Sequence, residues 1–149
     1  MIIEEVKLHN IRSFIDEKIQ FSKGRTLLSG DIGAGKSTIL LGIEFALFGR
    51  RTDVPGEALL RNGSNEGYVE VTFSVNDKQY TVLRSLKRTK KRIKQSNCHI
   101  IKDNKKTNLT PRELKGKVLE ILNYPQSLVE KRKPLLFRYT CFTPQEEMK

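Results

Sequence analysis

The sequence has no tryptophan, only two cysteines and two histidines, and 17 acidic side chains against 28 lysines and arginines. Cys98 and Cys141 lie far apart with no Cys or His beside them at zinc spacing, so neither a disulfide framework nor a zinc site is expected. Cysteine this sparse fits a reducing, intracellular setting: cytoplasm or nucleoid, or nucleus in a eukaryote. No window comes near the roughly 18 apolar residues of a spanning helix, and Met1 to Val6 lacks the basic start and apolar core of a secretory leader. Membrane insertion and secretion are therefore not expected. The shortage of acid leaves a formal net charge of +11. Such a chain should attract polyanions, nucleic acid first, with anionic membrane or nucleotide as alternatives to a plainly solvated basic surface. Its 149 residues suit one domain with its own core.

Against these absences stands one dense motif, Gly30-Asp31-Ile32-Gly33-Ala34-Gly35-Lys36-Ser37, which fits G-x-x-x-x-G-K-[ST]. Arg25 to Ser29 before it reads as a short buried strand. After it, Ile39, Leu40, Ile43, Ala46 and Leu47 fall on one helical stripe and Leu41, Phe45 and Phe48 on another, so a helix buried on most sides is expected, ending at Gly49. A loop of small residues lets consecutive backbone N–H groups face a triphosphate, and the following helix adds the positive end of its dipole. Lys36 is placed to reach the β- and γ-phosphates, and the Ser37 hydroxyl to ligate Mg2+ between them. ATP with Mg2+ is the expected ligand.

The rest of the chain builds an α/β frame. Met1 to Leu8 and Ile15 to Phe21 read as antiparallel strands flanking a loop, His9 to Phe14, whose Arg12 could fold back over a nucleotide or stand as a surface charge. Arg50 to Gly67 is a long loop with a turn of helix at Glu57 to Arg61. Tyr68 to Val75 and Gln79 to Leu86 alternate around Asn76-Asp77, predicting a hairpin with one wet face. Lys87, Arg88, Lys90, Lys91, Arg92 and Lys94 put six basic residues in eight. They are candidates for DNA-phosphate contact, although lysines also guard sheet edges from pairing with other chains. A weaker strand is expected at Asn97 to Ile101, with a turn at Asp103-Asn104. Thr110-Pro111-Arg112-Glu113 is a capping box opening a helix through Leu122. A short helix at Gln126 to Lys131 and an apolar, β-rich run at Leu135 to Thr143 follow.

Hydrolysis also needs an Asp at the end of an apolar strand and a group that positions or deprotonates water. The nearest candidates, Asp77 and Asp103, sit at hairpin turns behind a polar residue. The chain reads as half of an ATPase, which argues against a compact nucleotide kinase or small GTPase.

Asn10 to Phe14, the phosphate loop with Thr38, the helix ending Ala46-Leu47-Phe48-Gly49, and Phe142-Thr143-Pro144-Gln145-Glu146-Glu147 together resemble the N-terminal ATPase lobe of the SMC-like DNA repair ATPases of the ABC-ATPase superfamily, in particular the Rad-fifty type. The resemblance implies a P-loop head lobe over residues 1–149, a mixed sheet with β-hairpins packed on the phosphate-loop helix, ending where a coiled coil begins. It implies that Arg12 and Ser13 lie by the nucleotide, that Gly30 to Thr38 hold its phosphates, and that Gln145 is the Q-loop glutamine reaching the magnesium or the attacking water. The family has Gln-Gly-Glu where this chain has Gln145-Glu146-Glu147, so the family's backbone path is not carried over there. The implied partners are a C-terminal lobe with the magnesium Asp and catalytic Glu, a second head, an Mre-type nuclease, and DNA. A condensation-type, RecF-like or RecN-like head, or a nucleotide-gated binding module without catalysis, remain the alternatives; a transporter subunit fits least.

Overall fold

The computed structural model describes residues 1–50, 54–90 and 92–124. Lys91, the expected helix at Gln126 to Lys131, the run Leu135 to Thr143, and Gln145 lie outside the described residues. Among the described residues, six strands and two helices make up the frame: β1 (Ile2–Ile11), β2 (Phe14–Gln20), α1 (Lys36–Phe48), β3 (Glu66–Val75), β4 (Lys78–Arg88), β5 (Ile93–Lys102), β6 (Lys105–Leu109) and α2 (Pro111–Ile121). A 3-10 turn at Gly56–Ala58 stands between α1 and β3.

The strands form one sheet in the order β2-β1-β3-β4-β5-β6. Every pairing in it is antiparallel. The α/β lobe with hairpins packed on the phosphate-loop helix is thus as expected, while a parallel member of the expected mixed sheet is not among the described residues. Alternation sets which face is buried: Val6 and Leu8 of β1, Val69, Val71 and Phe73 of β3, Val82 and Leu86 of β4, and Ile100 of β5 point into one core. Helix α1 packs on β1, β3 and β4, and α2 packs on β5 and β6. Burying each such side chain is worth about 1.5–3 kcal/mol relative to leaving it exposed, so this helix-on-sheet layer carries most of the stability.

Two turns with the same chemistry tie consecutive strands. Asn76-Asp77 and Asp103-Asn104 all have positive φ, between 49° and 59°, the two-residue geometry that matches the twist of the flanking strands. Helix α2 opens on its capping box, with the Thr110 side chain accepting from the Glu113 N–H and the Glu113 carboxylate accepting from the Thr110 N–H. Those bonds hold the Glu113 carboxyl below its ordinary range. The box therefore contributes above that range and fades as pH falls through the lowered value.

Arg84 breaks the apolar alternation of β4. It faces the core between Val82 and Leu86 and is fully buried. Its Nε donates to Ala46 O at 2.8 Å and its Nη2 to Leu47 O at 3.4 Å, the last-turn carbonyls of α1. Its Nη1 donates to Pro111 O at 2.9 Å at the start of α2. A cation on the negative end of a helix dipole stabilises it. Burial pushes the guanidinium down to about 10, which leaves it charged throughout the physiological range.

Three sequence expectations are corrected. Arg25 to Ser29 forms no strand and is mostly exposed, Leu27 at 89%. A strand needs a neighbour for its N–H and C=O groups, and no described strand lies beside it. The expected loop His9 to Phe14 shrinks to Arg12-Ser13, because β1 continues through Ile11. Leu40 is 38% exposed rather than part of a buried stripe.

Candidate nucleotide-binding site

The phosphate loop emerges from the exposed segment after β2 and runs directly into α1. Gly30, Gly33 and Gly35 have φ of 146°, 85° and 88°, a path that residues with a Cβ rarely follow. The amide groups of Thr38 and Ile39 donate to Gly35 O, at 2.9 and 3.3 Å, closing the first turn. In contrast to α2, α1 begins without a side-chain cap and has no acidic residue in its first turn. With neither cap nor acid there, the positive end of its dipole is left for an anion.

Lys36 curls back over the loop. Its Nζ donates to Gly30 O at 2.6 Å and to Asp31 O at 2.8 Å, two neutral acceptors that a phosphate oxygen can replace. Asp31, Ile32 and Ala34 are exposed along the rim, and Ser37 is exposed on the first helical turn, whereas Thr38 is 4% exposed beneath it. Magnesium prefers hard oxygens and keeps several waters and phosphate ligands. A single Ser37 hydroxyl fits that donor set as the protein's share, and no group of three metal-ligating side chains occurs among the described residues.

The structure brings the Arg12-Ser13 turn to this loop. A Cβ at Gly35 would lie 2.7 Å from Phe14 Cζ and 3.3 Å from Ser13 Oγ. Gly35 is thus needed for its φ and for the ring seated on it. Arg12 has φ 50° and Asn10 φ 51°, a left-handed conformation costing about 1–2 kcal/mol per residue with a side chain. Contacts with the end of the 3-10 turn and the residue after it offset that cost. Arg12 N donates to Leu59 O at 2.9 Å and Arg12 Nε to Ala58 O at 2.7 Å, which fixes the guanidinium through one nitrogen. Gly67 lies under the turn, where a Cβ would come within 2.7 Å of the His9 and Asn10 carbonyl oxygens.

Two contributors are not evident from the sequence. Phe14 carries an aromatic ring onto the loop, but in sequence it reads only as the last residue of the loop His9 to Phe14 and of the segment that carries the resemblance. Arg61 reaches the Arg12 and Ser13 carbonyls from 49 and 48 positions away, and nothing local in the sequence signals that contact.

The basic run forms the tip of the β4–β5 hairpin. Lys87 stands directly opposite Lys94, and Lys87, Lys90, Arg92 and Lys94 are exposed. Like charges facing each other across a ladder are unfavourable. Arg88 is half-buried and its Nε donates to Ser64 O at 3.0 Å. Next to the tip, Ile93 packs against Gly56, where a Cβ would lie 2.9 Å from Ile93 Cβ. One short segment, Gly56 to Arg61, thereby touches both the tip end of the β4–β5 hairpin and the Arg12 turn.

A family model described as an AAA domain matches residues 5–149. The chain belongs to the AAA domain family. This AAA domain is 31% identical over 148 residues to the DNA double-strand break repair Rad50 ATPase of Thermoplasma acidophilum, a match covering 99% of the chain and 16% of that protein. It is 30% identical over 133 residues to the Rad50 ATPase of Sulfolobus acidocaldarius, covering 87% of the chain and 15% of the relative. The AAA domain thus spans about a sixth of the length of these relatives, and the resemblance to Rad50-type ATPases read from the sequence holds. Its fold is shared with the solved structure of the recombination mediator RecF bound to ATP, at TM-score 0.62 and 21% identity over 78% of this chain and 30% of that one. Among the described residues no helix is long and apolar enough to cross a membrane.

Proposed function

We propose that the chain is the ATP-binding lobe of a DNA double-strand-break repair ATPase, the N-terminal half of a head that hydrolyses ATP only when completed by a C-terminal lobe and a second head. The observation that carries this reading is the uncapped, glycine-lined start of α1 with Lys36 folded over it and the Arg12 turn seated on Gly35. In this reading the loop amides bind the phosphates, Lys36 neutralises their charge, and Arg12 adds a second cation from the side. Magnesium bound with ATP supplies further charge neutralisation at the β- and γ-phosphates, with the Ser37 hydroxyl and the Gln145 side chain as its protein oxygens. Catalysis falls to an Asp and a Glu of the C-terminal lobe. DNA lies along the hairpin tip, and an Mre-type nuclease is regulated by engagement of the heads.

Reconstitution tests the division of labour. The chain alone should bind ATP with negligible turnover, and adding the C-terminal lobe should raise the rate by at least about 100-fold, since both missing groups act in the transition state. Turnover by the chain alone that the second lobe leaves unchanged would end the half-site reading.

The DNA surface has its own test. Each neutralised phosphate adds about 0.9 to the slope of log K against log salt. Replacing Lys90, Arg92 and Lys94 by glutamine in the reconstituted head should make that slope shallower by about 2–3. An unchanged slope would take the hairpin out of the interface.

A further inference from the structure

We propose that Arg61 is a positioning residue for the nucleotide site, acting through the Arg12-Ser13 turn and never touching the ligand. The inference rests on the ATP-binding reading above and adds to it the means by which the turn is held.

One guanidinium nitrogen serves two consecutive carbonyls: Arg61 Nη1 donates to Arg12 O at 3.1 Å and to Ser13 O at 2.9 Å. The backbone of the same residue donates to Asn10 O at 2.9 Å, and its neighbour Leu60 forms a bridge with Ile11. Arg12 answers from the other side, its Nε donating to Ala58 O. The two arginines thus clasp each other's segments, the Arg61 side chain on the Arg12 and Ser13 carbonyls and the Arg12 side chain on the Ala58 carbonyl.

Within this clasp the Arg61 side chain has a part that no other group shares. The bonds to Ala58 and Leu59 fix Arg12 alone. Only Arg61, among the described residues, is seen to hold the Ser13 carbonyl, and Ser13 and Phe14 are the residues resting on Gly35. Arg12 in the turn and Asn10 at the end of β1 both have left-handed backbones, and such conformations persist only where surrounding bonds over-determine them. Releasing the two carbonyls frees the turn to relax away from the loop, carrying the Arg12 guanidinium with it. Because Nη1 is spent on main-chain oxygens, Arg61 holds the turn in place and leaves the phosphates to Arg12. A flexible ammonium lacks the rigid fork that sets this geometry, so lysine should rescue only in part.

ATP titration of the full chain and its variants, with Mg2+ present, tests the inference. Arg61→Met should weaken ATP binding about tenfold, Arg61→Lys about threefold and Arg12→Ala about tenfold. The double variant Arg12→Ala/Arg61→Met should fall within about twofold of Arg12→Ala, because a residue that acts through another loses its effect when that other is gone. Losses that multiply to about a hundredfold would overturn the proposal, since Arg61 would then have its own contact with ATP. So would an Arg61→Met variant that binds like the parent. Lys36→Ala run alongside separates the two levels: if it binds ATP normally the nucleotide reading itself fails, and if it alone loses ATP only the Arg61 role fails. Amide exchange supplies a readout free of nucleotide, and Arg61→Lys keeps it usable where Arg61→Met folds poorly. Protection of the Arg12 N–H, bonded to Leu59 O, should fall about tenfold in the folded variant, and unchanged protection would overturn the clasp.

Discussion

Lys36→Ala is expected to lower ATP affinity by at least about a hundredfold while leaving thermal stability within about 0.5 kcal/mol of the parent. The asymmetry comes from what the amine touches. In the free chain it bonds two neutral loop carbonyls, Gly30 O and Asp31 O, at an exposed position. Losing such bonds costs little, because water replaces them. In the proposed site the same amine would face phosphate oxygens when ATP binds, and bonds between ionised partners are roughly twice as strong as neutral ones. A loss of about 2.7 kcal/mol corresponds to the hundredfold change. Calorimetric titration and a denaturant melt on the same preparation check both halves. Affinity within threefold of the parent would remove the loop from the nucleotide site.

Arg84→Met should show the reverse pattern, a drop in stability of about 3 kcal/mol, with the transition midpoint lowered by about 10 °C. Methionine matches much of the aliphatic volume and removes the expense of burying a charge, which favours the variant. Against that, it leaves Ala46 O and Pro111 O, two main-chain acceptors served by Arg84 at 2.8 and 2.9 Å, without their donor. Each buried acceptor stripped of its donor costs about 1–3 kcal/mol, and a helix end loses the cation on its dipole. The second set is the larger because four acceptors from three segments converge on one side chain: Ala46 O, Leu47 O, Pro111 O and Gln95 Oε1. Denaturant unfolding at pH 7 measures the change, and a loss below about 1 kcal/mol would show that the desolvation relief dominates. ATP affinity of the folded variant should change far less than with Lys36→Ala, since Arg84 holds the far end of α1.

Features fixed by near neighbours were legible in the sequence. The phosphate loop, the capping box at Thr110 and the turns at Asn76-Asp77 and Asp103-Asn104 each depend on side chains within a few positions of one another. The Arg12 turn was placed near the loop by resemblance, and the ring of Phe14 on Gly35 gives that placement a physical basis. Long-range features were not legible. Arg61 and Arg84 bond main-chain oxygens of distant segments, and a carbonyl leaves no mark on residue identity. Strand β6, Lys-Lys-Thr-Asn-Leu, is too polar to read as a strand, yet it pairs along β5 as an exposed edge. Arg25 to Ser29 failed the other way, having apolar residues suited to a strand but no described neighbour to pair with. Gln145 lies outside the described residues, so its place at the nucleotide remains part of the proposal.

The strand order has a consequence for how the site comes into being. Among the described residues, four of the five ladders join strands adjacent in sequence, while β1 with β3 alone unites distant stretches, Val6 opposite Val71. Pairing across a long intervening segment carries the larger loop-closure entropy and is the slow kind of contact to form. The phosphate loop, α1 and the Gly56 to Arg61 clasp all lie inside the stretch which that one ladder encloses. Hairpins β3–β4 and β5–β6 can therefore assemble early from local turns, but the proposed nucleotide site is incomplete until β1 docks. ATP would accordingly favour the finished lobe over any partly assembled one and slow its unfolding. Binding competence would then come in a late step, when the longest-range strand pairing among the described residues closes around the phosphate loop.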